Sequence, residues 1–241
     1  MLSLEVQEIL GRHDDGITRP YKIIATDQRM YICKGKELTP SEKVNEFIGA
    51  NLALQFGLPI PPFGLMTIPN EIIQYDSELK DSLGDGWVFA SQYIENSQIL
   101  TYNQISQVPS ITQRDILLFD CWVQNEDRTL TALGGNPNLL WENLNETLYV
   151  IDHNMIFDAE WNKDNTKTLH PFKNQFTTRQ LDMVDRLNYM QRFQKALSNW
   201  DYIISQIPKA WLNSKVESEI SFNYDYLSDQ VNQEKILGKL I

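Results

Sequence analysis

Between Gln124 and Phe157 the chain reads Q-N-E-D-R-T-L-T-A-L-G-G-N-P-N-L-L-W-E-N-L-N-E-T-L-Y-V-I-D-H-N-M-I-F, an order of side chains suited to phosphoryl transfer. Such a reaction needs one carboxylate to orient or deprotonate the attacking hydroxyl. It also needs an amide and a second carboxylate to hold the magnesium ions that carry the nucleotide phosphates. Asp127 is the candidate for the first role, Asn136 or Asn138 for the amide, and Asp152 for the metal-binding carboxylate. The plainer alternative makes Asp127 and Arg128 a loop ion pair and Asp152 a helix cap.

These residues need a scaffold that brings them together. Leu139-Leu140-Trp141 and Thr147 to Ile151 read as two short strands around a polar, turn-forming connection, Glu142 to Glu146. A hairpin of that kind puts Asn138 and Asp152 at one end of a small sheet, with Asp127 in the loop before it. Three oxygen-bearing side chains converging there suit a hard cation such as magnesium.

The stretch resembles the HipA-like kinases, in particular their short single-domain members, in which D-R with N-P-N-L-L-W is followed by I-D-H. Matching pieces run along nearly the whole chain: Gly16-Ile17-Thr18-Arg19-Pro20, Tyr31-Ile32-Cys33-Lys34, Phe56-Gly57-Leu58-Pro59-Ile60-Pro61 and Ile207-Pro208-Lys209-Ala210-Trp211-Leu212. The resemblance implies an α+β, bilobal protein-kinase-like fold, ATP and Mg2+ as cofactors, and transfer to a Ser or Thr hydroxyl of a partner protein or of the chain itself. An antitoxin-type partner is a further expectation, and the chain is short for the extra N-terminal domain of full-length HipA toxins. The sequence departs from the pattern in two places. The metal-binding Asn of a kinase catalytic loop lies about five residues after the catalytic Asp, but that position is Ala132, and Thr129 to Gly135 lengthens the loop. Asn136 fits the family's N-P-N and Asn138 lies nearer the strand, so both stay candidates. The Gly expected after the metal-binding Asp of protein kinases is also absent, since the chain reads Asp152-His153-Asn154.

The expected small lobe covers residues 1–96: strands at Leu4–Leu10, Tyr21–Ala25 and Met30–Cys33, plus one long helix. Its first turn, Gly11 to Gly16, is no G-x-G-x-x-G. Gly16 and Thr18 are assigned to the nucleotide on the resemblance, and His13 is read as a solvated loop residue. Lys34 ends an apolar triplet and is the candidate phosphate-neutralising lysine, with Lys36 as competitor and an aggregation-blocking edge charge as the alternative role. The helix runs from a Thr39-x-x-Glu42 capping box to Phe56, with Pro40 in its first turn. Glu46 lies off its apolar stripe on a face shared with Gly49, Ala50 and Ala53. Those small residues suggest a close approach, and make Glu46 the expected partner of Lys34, with Glu42 as fallback. Strands are expected at Glu71–Tyr75 and Trp87–Tyr93 around a mobile Asp76–Asp85 connection. Tyr93-Ile94-Glu95 is then the expected hinge, whose backbone meets adenine, with Gln92, Tyr93 and Ile94 as the nucleotide-binding positions.

Residues 97–241 read as a mostly helical second lobe: Ser110, as cap, to about Val123; Leu181 to Ile207; and Asn223 to Lys239. Ala159–Phe176 stands where an activation or substrate segment would be, with His170 as a packing or hydrogen-bonding residue. The formal net charge of −11 argues against binding nucleic acid through phosphates. Cys33 and Cys121 lie in apolar runs and are expected as buried free thiols. With no basic, apolar leader and no membrane-length window, a cytoplasmic chain is expected. Two other functions use the same residues: a small-molecule kinase of the aminoglycoside-phosphotransferase sort, and an inactive nucleotide-binding module.

Overall fold

Strict alternation makes the first strands one-sided. In β2 (Tyr21–Ala25) Tyr21, Ile23 and Ala25 point inward, and in β3 (Met30–Cys33) Tyr31 and Cys33 do the same. A computed structural model describes residues 4–13, 20–178, 181–232 and 235–238. In it β1 (Leu4–Arg12) pairs antiparallel with β2, and β2 with β3. β4 (Phe63–Ile68) and β5 (Gly86–Gln92) complete the order β1-β2-β3-β5-β4. Parallel pairing of Leu4 with Met66 and Glu5 with Thr67 closes the sheet into a barrel. Its interior is a small core built on Val6, Ile23, Tyr31, Met66 and Ala90.

The sequence reading misplaced the strand after the Pro59–Pro62 run. Phe63–Ile68 takes that place, whereas Asn70–Ile73 forms a short helix, α2. Ile72 and Ile73 are adjacent rather than alternating, and only Ile73 is buried. The Asp76–Asp85 connection is not a plain loop either. Asp76 accepts the Leu79 N–H at 2.9 Å and starts α3 (Ser77–Ser82).

α1 (Pro40–Phe56) follows the capping signal: the Thr39 hydroxyl takes the Glu42 N–H, and the Glu42 carboxylate takes the Thr39 N–H at 2.7 Å. Gly57, at φ 96°, ends it, as a left-handed C-cap requires. The apolar stripe of α1 does not pack into the barrel. Val44, Phe47, Ile48, Leu52 and Phe56 belong to the larger core, together with Phe119, Trp122 and Phe193. The Phe56 and Phe193 ring centroids are 4.8 Å apart, and the Arg192 Nε donates to the Phe56 carbonyl at 2.8 Å.

After the 93–96 connection comes a second sheet, ordered β6 (Ser97–Ile99), β7 (Leu139–Glu142), β8 (Thr147–Val150). β6, not anticipated from sequence, ties the connection to the hairpin. α4 (Ser110–Trp122) is capped at Pro109, not by Ser110, whose hydroxyl instead meets Gln175 at 3.3 Å. The remaining helices are α5 (Lys163–Leu169), α6 (Gln175–Thr178), α7 (Met183–Leu197), α8 (Trp200–Ser205), α9 (Ser214–Asn232) and α10 (Lys235–Gly238). The single helix expected over 181–207 is broken because Ser198 and Asn199 turn back to bond the Lys195 carbonyl, at 2.8 and 3.4 Å. The last helix begins earlier than expected, because Asn213 caps it through the Lys215 and Val216 N–H groups. Both cysteines are buried and neither is in a disulfide, and among the described residues no helix is long and apolar enough to cross a membrane.

Candidate functional site

The β7–β8 hairpin is pinned at its polar turn by Glu142, whose carboxylate accepts the Leu144 and Asn145 N–H groups at 2.6 and 3.0 Å. Its other end carries the residues of interest. Asn138 enters β7 at φ 48° and Asp152 follows β8 at φ 60°, and the Ile151 N–H bonds the Asn138 carbonyl at 3.1 Å. Left-handed backbone is costly for residues with a Cβ, least so for Asn and Asp, and it recurs at functional sites. Asp127 faces this pair from the preceding loop. Its Oδ2 accepts Asn138 Nδ2 at 2.8 Å and Asn136 Nδ2 at 3.2 Å. Both candidate amides therefore meet the same carboxylate oxygen. Burial raises the Asp127 pKa and Asp152 adds to the rise, against the two amide donors.

Lys34 reaches this end of the hairpin from the barrel. Its Nζ bonds Asp152 Oδ1 directly and Glu46 Oε2 at 3.4 Å. Burial pushes the lysine down, but the two carboxylates more than offset it and its pKa ends above the ordinary value. Burial also raises Glu46, to about 7 against the pull of Lys34. Asp152 moves the other way: Lys34 outweighs the burial that would raise it and holds it below the carboxylate range. Asp152, in direct contact, and Glu46 are both counter-ions of Lys34. The two competitors are occupied elsewhere. Lys36 donates to the Lys80 carbonyl at 2.7 Å and Glu42 is spent on the α1 cap.

The small residues beside Glu46 have a visible cause. A Cβ on Gly49 would lie 2.5 Å from the His153 Cβ and 2.9 Å from Ile156 Cδ1. That close approach lets the His153 N–H reach Glu46 Oε2 at 3.2 Å. Alanine in place of Gly49 would favour the helix by about 1 kcal/mol, but overpacking typically costs about 1–3 kcal/mol. Gly49→Ala is expected to lower the melting temperature, which thermal unfolding of the two proteins measures.

Arg128 does not pair with Asp127. Its side chain is fully buried: Nε bonds Asp120 Oδ2 of α4 at 2.6 Å, and Nη1 bonds the Asn138 carbonyl at 2.6 Å and the Pro137 carbonyl at 3.1 Å. Asn125 links the same Asp120, at 3.0 Å, to the Asp127 N–H, at 3.1 Å. His170, next to α5, completes the cluster. Its Nδ1 accepts the Phe172 N–H at 3.0 Å, so Nε2 carries the proton donated to Asp120 at 3.0 Å. Burial lowers His170 and keeps it neutral, and Arg128 and His170 hold Asp120 low against its own burial. Asp120 and Asn125 were missed from sequence. Asp120 sits among apolar helix residues, the one available hint, because a fully buried carboxylate needs a partner.

Of the other expected positions, Gln92 ends β5, and Tyr93 bonds the Met30 carbonyl through its N–H at 2.9 Å. The Ile94 carbonyl accepts the Ser97 hydroxyl at 2.7 Å. Gly16 and Thr18 lie outside the described residues. His13 is not simply solvated: its ring packs edge-on against Tyr93, with centroids 6.0 Å apart.

A strand barrel and a helical lobe that share a Lys–Glu–Asp cluster at their junction have the architecture of the protein kinases. The chain belongs to the HipA-like kinase family, whose model matches residues 6–236. Solved structures of the same fold include the Helicobacter pylori proinflammatory kinase CtkA, at 12% identity over 97% of this chain and 94% of that one, TM-score 0.53. Shewanella oneidensis HipA, solved with HipB and its operator DNA, is 9% identical over 85% of this chain and 58% of that one, TM-score 0.51. The Golgi casein kinase is 10% identical over 99% and 72%, TM-score 0.50. Identities this low show the fold alone, and no curated protein matches.

Proposed function

We propose that this chain is an ATP- and magnesium-dependent phosphotransferase acting on a Ser or Thr hydroxyl of a partner protein or of itself. Residues 1–96 are read as the nucleotide lobe and 97–241 as the phosphotransfer lobe. The observation that carries the reading is Lys34, on the barrel side, meeting both Glu46 and Asp152. Lys34 neutralises the nucleotide phosphates, and Glu46 with Asp152 fixes where its ammonium stands. Asp152 with Asn138, or Asn136, offers hard oxygen ligands at one hairpin end, a donor set that fits magnesium. Bound there, the metal would neutralise charge on the phosphates. Asp127, raised in pKa and half-buried, takes the acceptor hydroxyl's proton. The Arg128–Asp120–His170 cluster holds the Asn138 backbone and the catalytic loop in register. The fold relationship to HipA, solved with HipB, supports a search for an antitoxin-type partner. The cytoplasm, which holds ATP, is the proposed compartment.

Thermal unfolding with ATP and magnesium tests this reading. A ligand that prefers the native state raises the melting temperature by mass action, by about 2.7 kcal/mol at a hundred times its dissociation constant. The wild type is expected to shift upward. Asp152→Ala is expected to lose more of the shift than Asp127→Asn. Parallel Asn136→Ala and Asn138→Ala proteins show which amide the metal uses. A wild type that ignores ATP and magnesium would remove the phosphotransferase reading.

A further inference from the structure

The lengthened catalytic loop is an ordered hairpin. Thr131 and Gly134 exchange N–H···O=C bonds at 3.0 Å each, and the Thr131 hydroxyl accepts the Leu133 N–H at 3.2 Å. At the base the Thr129 N–H bonds the Asn136 carbonyl at 2.8 Å, and the Asn136 N–H bonds the Thr129 hydroxyl at 3.2 Å. Gly135, at φ 152°, lets the two arms close up, since a Cβ there would lie 2.5 Å from the Thr129 carbonyl oxygen. Leu130 is buried beneath, its N–H bonded to the Leu169 carbonyl at 2.8 Å.

This stiff excursion presents one large side chain, Leu133, which is 100% exposed. Single exposed apolar residues are ordinary on protein surfaces. Leu133 differs from the comparably exposed Leu144 in position. Leu144 tips the β7–β8 hairpin at the end away from Asp152. Leu133 tips a loop that leaves and rejoins the chain between Asp127 and Asn136, and Asn136 bonds the Asp127 carboxylate. Leu133 to Asn136 is three residues, so their Cα atoms stand at most about 11 Å apart.

We propose that the Thr131–Gly134 hairpin is a substrate-reading finger and that Leu133 is its apolar anchor, seated on a protein substrate beside the acceptor hydroxyl. This rests on the phosphotransferase reading above and narrows its substrate class. A small hydroxyl compound needs only the groups around Asp127, whereas a polypeptide carries further side chains past them for the tip to meet. An extended polypeptide advances about 3.3 Å per residue, so the finger selects an apolar side chain within about four residues of the phosphorylated Ser or Thr.

The test uses the full chain with ATP, magnesium and a peptide library carrying a central Ser or Thr between randomised flanks. The wild type is expected to enrich apolar residues within about four positions of the acceptor. Leu133→Ser is expected to lose that enrichment. Its kcat/KM for the best peptide should fall about tenfold or more, mainly through KM, the loss expected for one leucine no longer buried. Leu133→Met should restore both, and the melting temperature should not move. Unchanged selection in Leu133→Ser, or a wild type that phosphorylates the library without apolar selection, overturns the finger and leaves the phosphotransferase reading standing. A wild type that phosphorylates small alcohols but no peptide overturns both the finger and the protein substrate. Absence of any ATP-dependent thermal shift or turnover removes the phosphotransferase reading, and the finger with it.

Discussion

Asp127→Asn is expected to cut phosphoryl transfer by about a hundred- to ten-thousand-fold, the range carried by a general acid–base group, while leaving the fold intact. Asn136 and Asn138 both donate to Oδ2 of Asp127. Neither bond falls on Oδ1, which is left for the acceptor's proton. An asparagine can offer its carbonyl oxygen to those amides and keep the shape, but the NH2 in the Oδ1 place accepts nothing. The comparison is turnover against melting temperature. Equal turnover in the two proteins would remove Asp127 from the chemistry. The pH dependence has a definite sign as well. Burial and the neighbouring Asp152 raise the Asp127 pKa, so the proton is held to a higher pH than in an ordinary aspartate. The acid limb of the wild-type rate is therefore expected above the usual aspartate range.

The sequence disclosed features that are local or periodic. The Thr39–Glu42 capping box, the one-sided strands of the barrel and the hairpin on either side of Glu142–Glu146 each leave a short-range pattern, and all formed as read. So did the small-residue face of α1, because only a close approach explains Gly49 beside a buried Glu46. Long-range pairings were not legible. Barrel closure depends on Leu4 meeting Met66, and the Asp120–Arg128–His170 cluster joins residues from three separate segments. No spacing rule encodes either. Phe63–Ile68 was passed over because its first residues, Phe63 and Leu65, are only partly buried and show no clean alternation. The helix break at Ser198-Asn199 reflects side-chain bonds to Lys195, a competition that an apolar stripe does not report. Within the site, the choice between Asn136 and Asn138 stayed open because the loop folds back on itself and brings both to one oxygen.

Lys34→Met is expected to lower ATP turnover by about a hundred- to a thousand-fold, the cost typical of losing one preorganised electrostatic contact to developing charge. The side chain is held by two carboxylates that differ in strength. Asp152 touches it directly and sits below the carboxylate range, while Glu46 stands at 3.4 Å with its pKa raised to about 7 by burial. Glu46 acts by positioning the Lys34 ammonium, and Glu46→Gln is expected to cost less than Lys34→Met. Once Lys34 is gone there is nothing left for Glu46 to position, so the two effects should not add. Residues in contact typically couple by about 0.5–3 kcal/mol, and a double-mutant cycle on ATP turnover reads that coupling. Additive losses would separate the pair and leave Glu46 as a brace for the His153 backbone alone. Stability gives an independent check on Glu46. Its folded pKa lies above the ordinary glutamate value, so its contribution is complete below the unfolded pKa and disappears as pH rises through about 7. Between about pH 5 and pH 8 the wild type is therefore expected to lose more stability than Glu46→Gln. Parallel stability curves for the two proteins would place the Glu46 side chain in water instead of between Lys34 and His153.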